Sequence, residues 1–268
     1  MKLALYHPWL KSKGGAEKVL LEILRRSSHD ITLFTLFHDP DATFEEFDDY
    51  DVEVVGSNTA PSGFLDRVFR FGFGTLFTKL PLDGYDALVV SEAGLGCLIT
   101  FRNHSLPLHC YCHTPLRAAL PVFHATYRKE LHPLLRPVFD IGTVVYDWLE
   151  RHAWDKFDRV MANSELTRTR IREKGLCDGE ISVINPGVDA DRFEAADTER
   201  YFLYPSRFRR YKRQDLAVKA FDAADIEDFK LVLAGSADED DYIEELEAMA
   251  GDGVEIRTDV PDGEWREL

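Results

Sequence analysis

The chain has few cysteines, and none sits in a redox or zinc spacing. Its four, Cys97, Cys110, Cys112 and Cys177, form no CxxC pair. Cys110 and Cys112 straddle Tyr111, which reads as opposite sides of a strand. Free thiols in a reducing compartment are therefore expected, in place of disulfides or a zinc site. The nine histidines are scattered without ligand spacing, so no metal is expected. Long apolar runs are also missing: nothing approaches the roughly 20 residues of a membrane-spanning helix. The N-terminal MKLALYHP turns polar too soon for a signal peptide and reads as a first strand. There is no GxGxxG dinucleotide fingerprint. Gly14-Gly15 and Gly94-Leu95-Gly96 are the Gly-rich candidates, and neither fits it, which sets a dehydrogenase aside. Positive charge is scarce as well, with Lys+Arg at 32 against Asp+Glu at 48 and a net charge of -16. No broad basic face accompanies it, so no nucleic-acid partner is expected.

What is present is an ordinary core-forming composition. With 268 residues, 45% hydrophobic and 12% aromatic, the chain can bury one large core or two modest ones. The acids lie in loops and helix starts, interleaved with apolar positions, as in a solvated acidic surface. With Arg preferred over Lys, that surface also resembles a salt-adapted, halophilic cytoplasmic protein.

Apolar runs of strand length alternate with amphipathic stretches of helix length. Strands are expected at 2–6, 31–36, 52–55, 87–91, 108–112, 159–162 and 181–184, and helices at 16–27, 65–78 and 138–155. The fold class this implies is α/β, with parallel, doubly wound sheets. The pattern breaks over the polar stretch 189–199 and restarts with strands at 201–205, 230–234 and 254–258 and helices at 213–224 and 240–250. Two domains are therefore expected, 1–190 and 191–268. The second offers three strands and the start of a helix at 262–268, fewer than the usual five or six. It is expected to be an incomplete unit of a longer protein.

One stretch stands out chemically. Strand 201–205 ends in Pro205-Ser206 and is followed by Arg207, Arg209, Arg210, Lys212 and Arg213, ahead of a helix. Cations at a strand end, next to a helix with free N–H groups, suit a diphosphate. Other candidates also sit at strand ends. Gly14-Gly15 opens the first helix, where paired glycines either let a ligand approach or simply start the helix. His113, in YCHTPLR, either bonds a substrate hydroxyl or caps a turn. Ser164 reads as an N-cap. Asn185-Pro186-Gly187 is a turn whose amides either face a cleft or only lead into the linker. The run 65–82 mixes aromatics with Arg67, Arg70 and Lys79. It fits either a membrane or lipid-linked acceptor contact or an ordinary core-facing helix.

Taken in order, GGAEKV (14–19), YCHTPLR (111–117), ANSE (162–165), VINPGVD (183–189), SRFRRYKRQDLAVKAF (206–221) and LVLAGS (231–236) resemble glycosyltransferase family 4. In form the chain is most similar to a branch of mannosyltransferases that build surface polysaccharides. The resemblance implies the GT-B fold, with an acceptor-side N-terminal domain and a nucleotide-sugar donor domain. It implies retaining transfer of a hexose, mannose from GDP-mannose being the specific expectation, to a glycan or lipid-linked acceptor, with no metal or other cofactor. The catalytic residues implied are His113, Arg207 and Lys212. The donor-binding residues are Gly14, Gly15, Ser206, Arg207, Lys212 and Gly187. The expected location is the cytoplasm, at the inner face of a membrane that the protein touches peripherally. The family's Glu-x7-Glu motif has no match in context: Glu239 and Glu247 have the spacing but sit directly after LVLAGS. The alternatives are a catalytically silent acceptor-binding fragment and a GT-B nucleotide-sugar 2-epimerase.

Overall fold

A computed structural model describes every residue except 57, 58, 60–67, 191–197, 225, 227, 238 and 261–268, and gives the backbone alone at 68–70 and 130. The chain divides into two compact units, Met1–Gly187 and Val188–Leu268.

The first unit holds seven parallel strands: β1 (Lys2–Tyr6), β2 (Asp30–Thr35), β3 (Val52–Val54), β4 (Ala87–Glu92), β5 (Leu108–Cys112), β6 (Arg159–Ala162) and β7 (Ile181–Val183). Their order is β3-β2-β1-β4-β5-β6-β7, so the winding reverses between β1 and β4. Helices α1 (Gly15–Arg26), α2 (Pro121–Glu130), α3 (Arg136–Trp154) and α4 (Glu165–Glu173) form the main connections. A parallel sheet is covered on both faces, so its strands read as nearly continuous apolar runs. Leu5 joins Leu20, Leu21 and Leu24 of α1 on one face, while its neighbours Ala4 and Tyr6 join Phe34, Leu88 and Ile99 on the other. Each Leu so buried contributes about 1.5–3 kcal/mol. Glu17 in the first turn of α1 and Arg25 and Arg26 in the last complement the helix dipole. Ser164 caps α4, its hydroxyl accepting from the Thr167 amide at 3.2 Å.

The second unit holds β8 (Tyr201–Pro205), β9 (Lys230–Gly235) and β10 (Val254–Thr258), parallel and in the order β10-β9-β8. Helices α5 (Gln214–Ala224) and α6 (Asp240–Met249) accompany them, and Phe208, Val218, Leu233, Tyr242 and Leu246 form the core. The helix expected at 262–268 lies outside the described residues.

Three expectations are corrected. Cys110 and Cys112 are on the same side of β5, because residues two apart share a strand face, and both are buried in one core cluster. The helix expected from 213 begins at Gln214, because Arg213 takes a left-handed conformation, φ 61°, after a 3-10 turn Arg210–Lys212. The helix expected at 65–78 is a π-helical stretch Val68–Phe73 running into a short α turn Gly74–Phe77, with 65–67 outside the described residues.

Candidate functional site

In the first unit, the candidate residues gather where the strands point their C-terminal ends, around the reversal between β1 and β4. Open α/β sheets bind ligands at such a reversal. His7 follows β1, Ser91 is near the end of β4, and His113 follows β5. The Ser91 hydroxyl lies 3.0 Å from His7 Nδ1 and 3.0 Å from His113 Nε2. The two rings meet edge to face, 6.5 Å between centroids, and the Tyr111 ring stands 5.2 Å from that of His113. Backbone bonds fix His113: its amide donates to the Glu92 carbonyl at 2.8 Å, and its carbonyl accepts from the Thr167 hydroxyl at 3.1 Å. Burial pushes the His113 imidazole down to about 4. His7 is lower, at about 3, through burial and then the nearby His113. Both rings are therefore neutral near pH 7.

Gly14 is the N-cap of α1. A Cβ there would sit 2.5 Å from Glu17 Oε2, and Glu17 in turn accepts from the Ser12 hydroxyl at 3.0 Å. At Gly15 and Gly187 an added Cβ would meet open space. Gly187 is the last residue of the unit, beyond β7. A second polar cluster lies beneath the sheet end. Glu92 accepts from the Gly94 and Cys97 amides, and burial, then the nearby Glu150, raises its carboxyl to about 8. Lys174 bonds the buried Glu150 and lies 2.8 Å from Asp147.

In the second unit, Ser206, Arg207 and Lys212 follow β8. The loop lies directly on β9: a Cβ at Gly235 would be 2.0 Å from the Ser206 carbonyl oxygen, so only glycine permits the approach. The fully buried Gln214 donates from Nε2 to the Arg207 carbonyl at 2.9 Å, and the Tyr204 hydroxyl donates to the Lys212 carbonyl at 2.6 Å. The basic run is not one knot. Arg210 forks onto Glu245 at 2.6 and 2.7 Å and reaches Asp241, and Arg213 binds Asp215 at 2.9 Å. These carboxylates raise both guanidiniums further. Lys212 has no carboxylate partner among the described residues; its ammonium lies 5.6 Å from the Tyr211 ring. The start of α5 is occupied too. The Asp215 amide donates to the Tyr242 hydroxyl at 3.1 Å and the Leu216 amide to the Arg213 carbonyl at 3.0 Å. Any diphosphate reading therefore rests on side chains and not on free helix N–H groups.

The stretch expected to touch a membrane, 65–82, divides. Phe71 is buried, while Phe73 and Phe77 are exposed and stacked at 6.1 Å. A larger apolar exposure lies on α3. Val138, Ile141, Val145 and Trp148, spaced three, four and three residues apart, are 63%, 66%, 51% and 59% exposed. Among the described residues, no helix is long and apolar enough to cross a membrane.

Known families match residues 13–268. Residues 13–192 match the family model described as Glycosyltransferase Family 4, and residues 189–268 match that described as Glycosyl transferases group 1. The chain is 25% identical to the Alpha-1,3/1,6-mannosyltransferase ALG2 of Saccharomyces cerevisiae over 282 aligned positions, covering 92% of this chain and 53% of that one. It thus spans about half the length of the curated relatives it matches. Two solved structures resemble it at 17% identity. They are the sucrose-phosphate synthase of Thermosynechococcus elongatus (TM-score 0.67, covering 97% of this chain and 71% of that one) and Anabaena HepE with UDP-glucose (TM-score 0.63, covering 97% and 70%). That likeness shows the fold, GT-B, with each unit a parallel α/β sheet.

Proposed function

Because this chain belongs to glycosyltransferase family 4, we propose that it carries the acceptor-side domain and the leading part of the donor-side domain of a retaining hexosyltransferase, divided near residue 190. The observation that carries the reading is the loop after β8. Arg207 and Lys212 stand at a parallel strand's C-terminal end, on backbone fixed by Gly235 and Gln214. A guanidinium fork and an ammonium there suit a nucleotide diphosphate. They would stabilise the negative charge that grows on the leaving diphosphate as the sugar departs. The same reading gives Ser206, Gly14, Gly15 and Gly187 to the donor. It gives His113, kept neutral by burial, to a hydroxyl of the transferred sugar.

In this reading the sugar is mannose, supported by the mannosyltransferase named among the relatives, and GDP-mannose is the donor to be tested. The acceptor is a glycan or a lipid-linked sugar at the cytoplasmic face of a membrane. The exposed apolar stripe on α3 supports peripheral contact with that membrane. Calorimetric titration of the chain with GDP, UDP, GDP-mannose and UDP-glucose tests the reading. Binding of GDP and GDP-mannose ahead of the uridine pair supports it. A cooperatively melting chain that binds no nucleotide diphosphate overturns the site, and preference for UDP overturns the donor.

A further inference from the structure

The hydroxyl of Ser91 sits between two ring nitrogens, His7 Nδ1 and His113 Nε2, at 3.0 Å from each. It has one proton to give. With both rings neutral, it donates to one nitrogen and must accept an N–H from the other. Two arrangements satisfy all three groups. In one, His7 Nδ1–H donates to Ser91, Ser91 donates to His113 Nε2, and His113 carries its own proton on Nδ1. In the other, His113 Nε2–H donates to Ser91, Ser91 donates to His7 Nδ1, and His7 carries its proton on Nε2. A mixed pair costs a hydrogen bond: two acceptors leave one ring nitrogen unpaired, and two donors leave the buried Ser91 proton with no acceptor among the described residues.

The far nitrogen of His113, Nδ1, has no protein partner among the described residues, while the His7 ring also hydrogen-bonds the Ser91 backbone. His113 Nδ1 is the open end of a three-residue chain across β1, β4 and β5. We infer that Ser91 locks His7 and His113 into matching tautomers, so that the proton position on His7 sets whether the open end of His113 donates or accepts a hydrogen bond. His7 and Ser91 are then positioning residues: they decide whether His113 meets a ligand hydroxyl as donor or as acceptor. That the hydroxyl belongs to the transferred sugar rests on the glycosyltransferase reading; the coupling of the tautomers does not.

The test is nitrogen-15 NMR of imidazole-labelled chain near pH 7, without ligand, with assignments from His7→Gln and His113→Gln. The coupling predicts the same fraction of Nδ1–H tautomer in both rings, whichever arrangement dominates. Fractions that differ by more than about twofold overturn it. In Ser91→Ala the two fractions are expected to part, while Ser91→Thr, which keeps the hydroxyl, restores the match. An unchanged match in a folded Ser91→Ala chain overturns the role of Ser91. Because the sample contains no nucleotide sugar, failure here is distinct from failure of the donor assignment.

Discussion

Gly235→Ala is the sharpest perturbation of the proposed diphosphate loop, because it adds one methyl group and no charge. The new Cβ would stand 2.0 Å from the Ser206 carbonyl oxygen, 2.6 Å from its carbon and 3.0 Å from the Arg207 nitrogen. An ordinary contact is roughly 3.5 Å, so the 206–207 peptide must move by more than about 1 Å. That movement strains three bonds: the Ser206 amide to Ala234 at 2.8 Å, the Phe208 amide to Ser236 at 3.0 Å, and Gln214 to the Arg207 carbonyl at 2.9 Å. Overpacking costs about 1–3 kcal/mol and partial weakening of the three hydrogen bonds about 1–2 kcal/mol in all, so local destabilisation of about 2–5 kcal/mol is expected. Native-state hydrogen exchange of the β8 and β9 amides reads this unit alone. Opening should rise at least ~30-fold, the equivalent of about 2 kcal/mol. GDP affinity should fall with it. Exchange within about threefold of the parent, with unchanged GDP binding, would refute the claim that glycine is needed for this approach.

Three further outcomes follow from other parts of the molecule. Lys174→Met strands the buried Glu150 and should cost about 3–5 kcal/mol at pH 7 in urea unfolding; a loss under 1 kcal/mol would contradict the buried pairing. The Glu92 carboxyl ionises near its ordinary value, 4.5, when unfolded but only near 8 when folded. Between these values the unfolded state binds fewer protons, so Glu92 lowers stability as pH rises. Against Glu92→Gln, the parent should lose up to about 1.4 kcal/mol per pH unit across this window; parallel stability curves would remove the assignment. Replacing Ile141 and Trp148 together by Glu should abolish co-sedimentation with anionic lipid vesicles while leaving the melting temperature within a few degrees, since both side chains are exposed; unchanged sedimentation would sever α3 from the membrane.

Much of this was legible in the sequence because parallel strands announce themselves. β1, β5, β6, β8 and β10 fall at the bounds their apolar runs predict, and the motifs stand at strand ends. What stayed hidden depends on long-range partners. His7 and Ser91 are 84 residues apart and meet only because β4 lies beside β1. Nothing in the run 207–213 separates Lys212 from Arg210, because Glu245 lies 35 residues beyond Arg210. The left-handed turn at Arg213 carries no glycine or asparagine to signal it. The apolar period of α3 is that of a core-facing helix, and only the fold reveals that much of it faces outward.

The measurement that meets the central claim most directly is GDP binding by Arg207→Ala, Lys212→Ala and Arg210→Ala, side by side in one calorimetric series. Charge-assisted bonds to a diphosphate predict losses of about 1.5–3 kcal/mol for Arg207 and Lys212. Arg210, committed to Glu245 and Asp241, should change affinity by less than about 0.5 kcal/mol. Equal losses in all three would reduce the site to general positive charge, and unchanged affinity in Arg207→Ala and Lys212→Ala would contradict the diphosphate assignment.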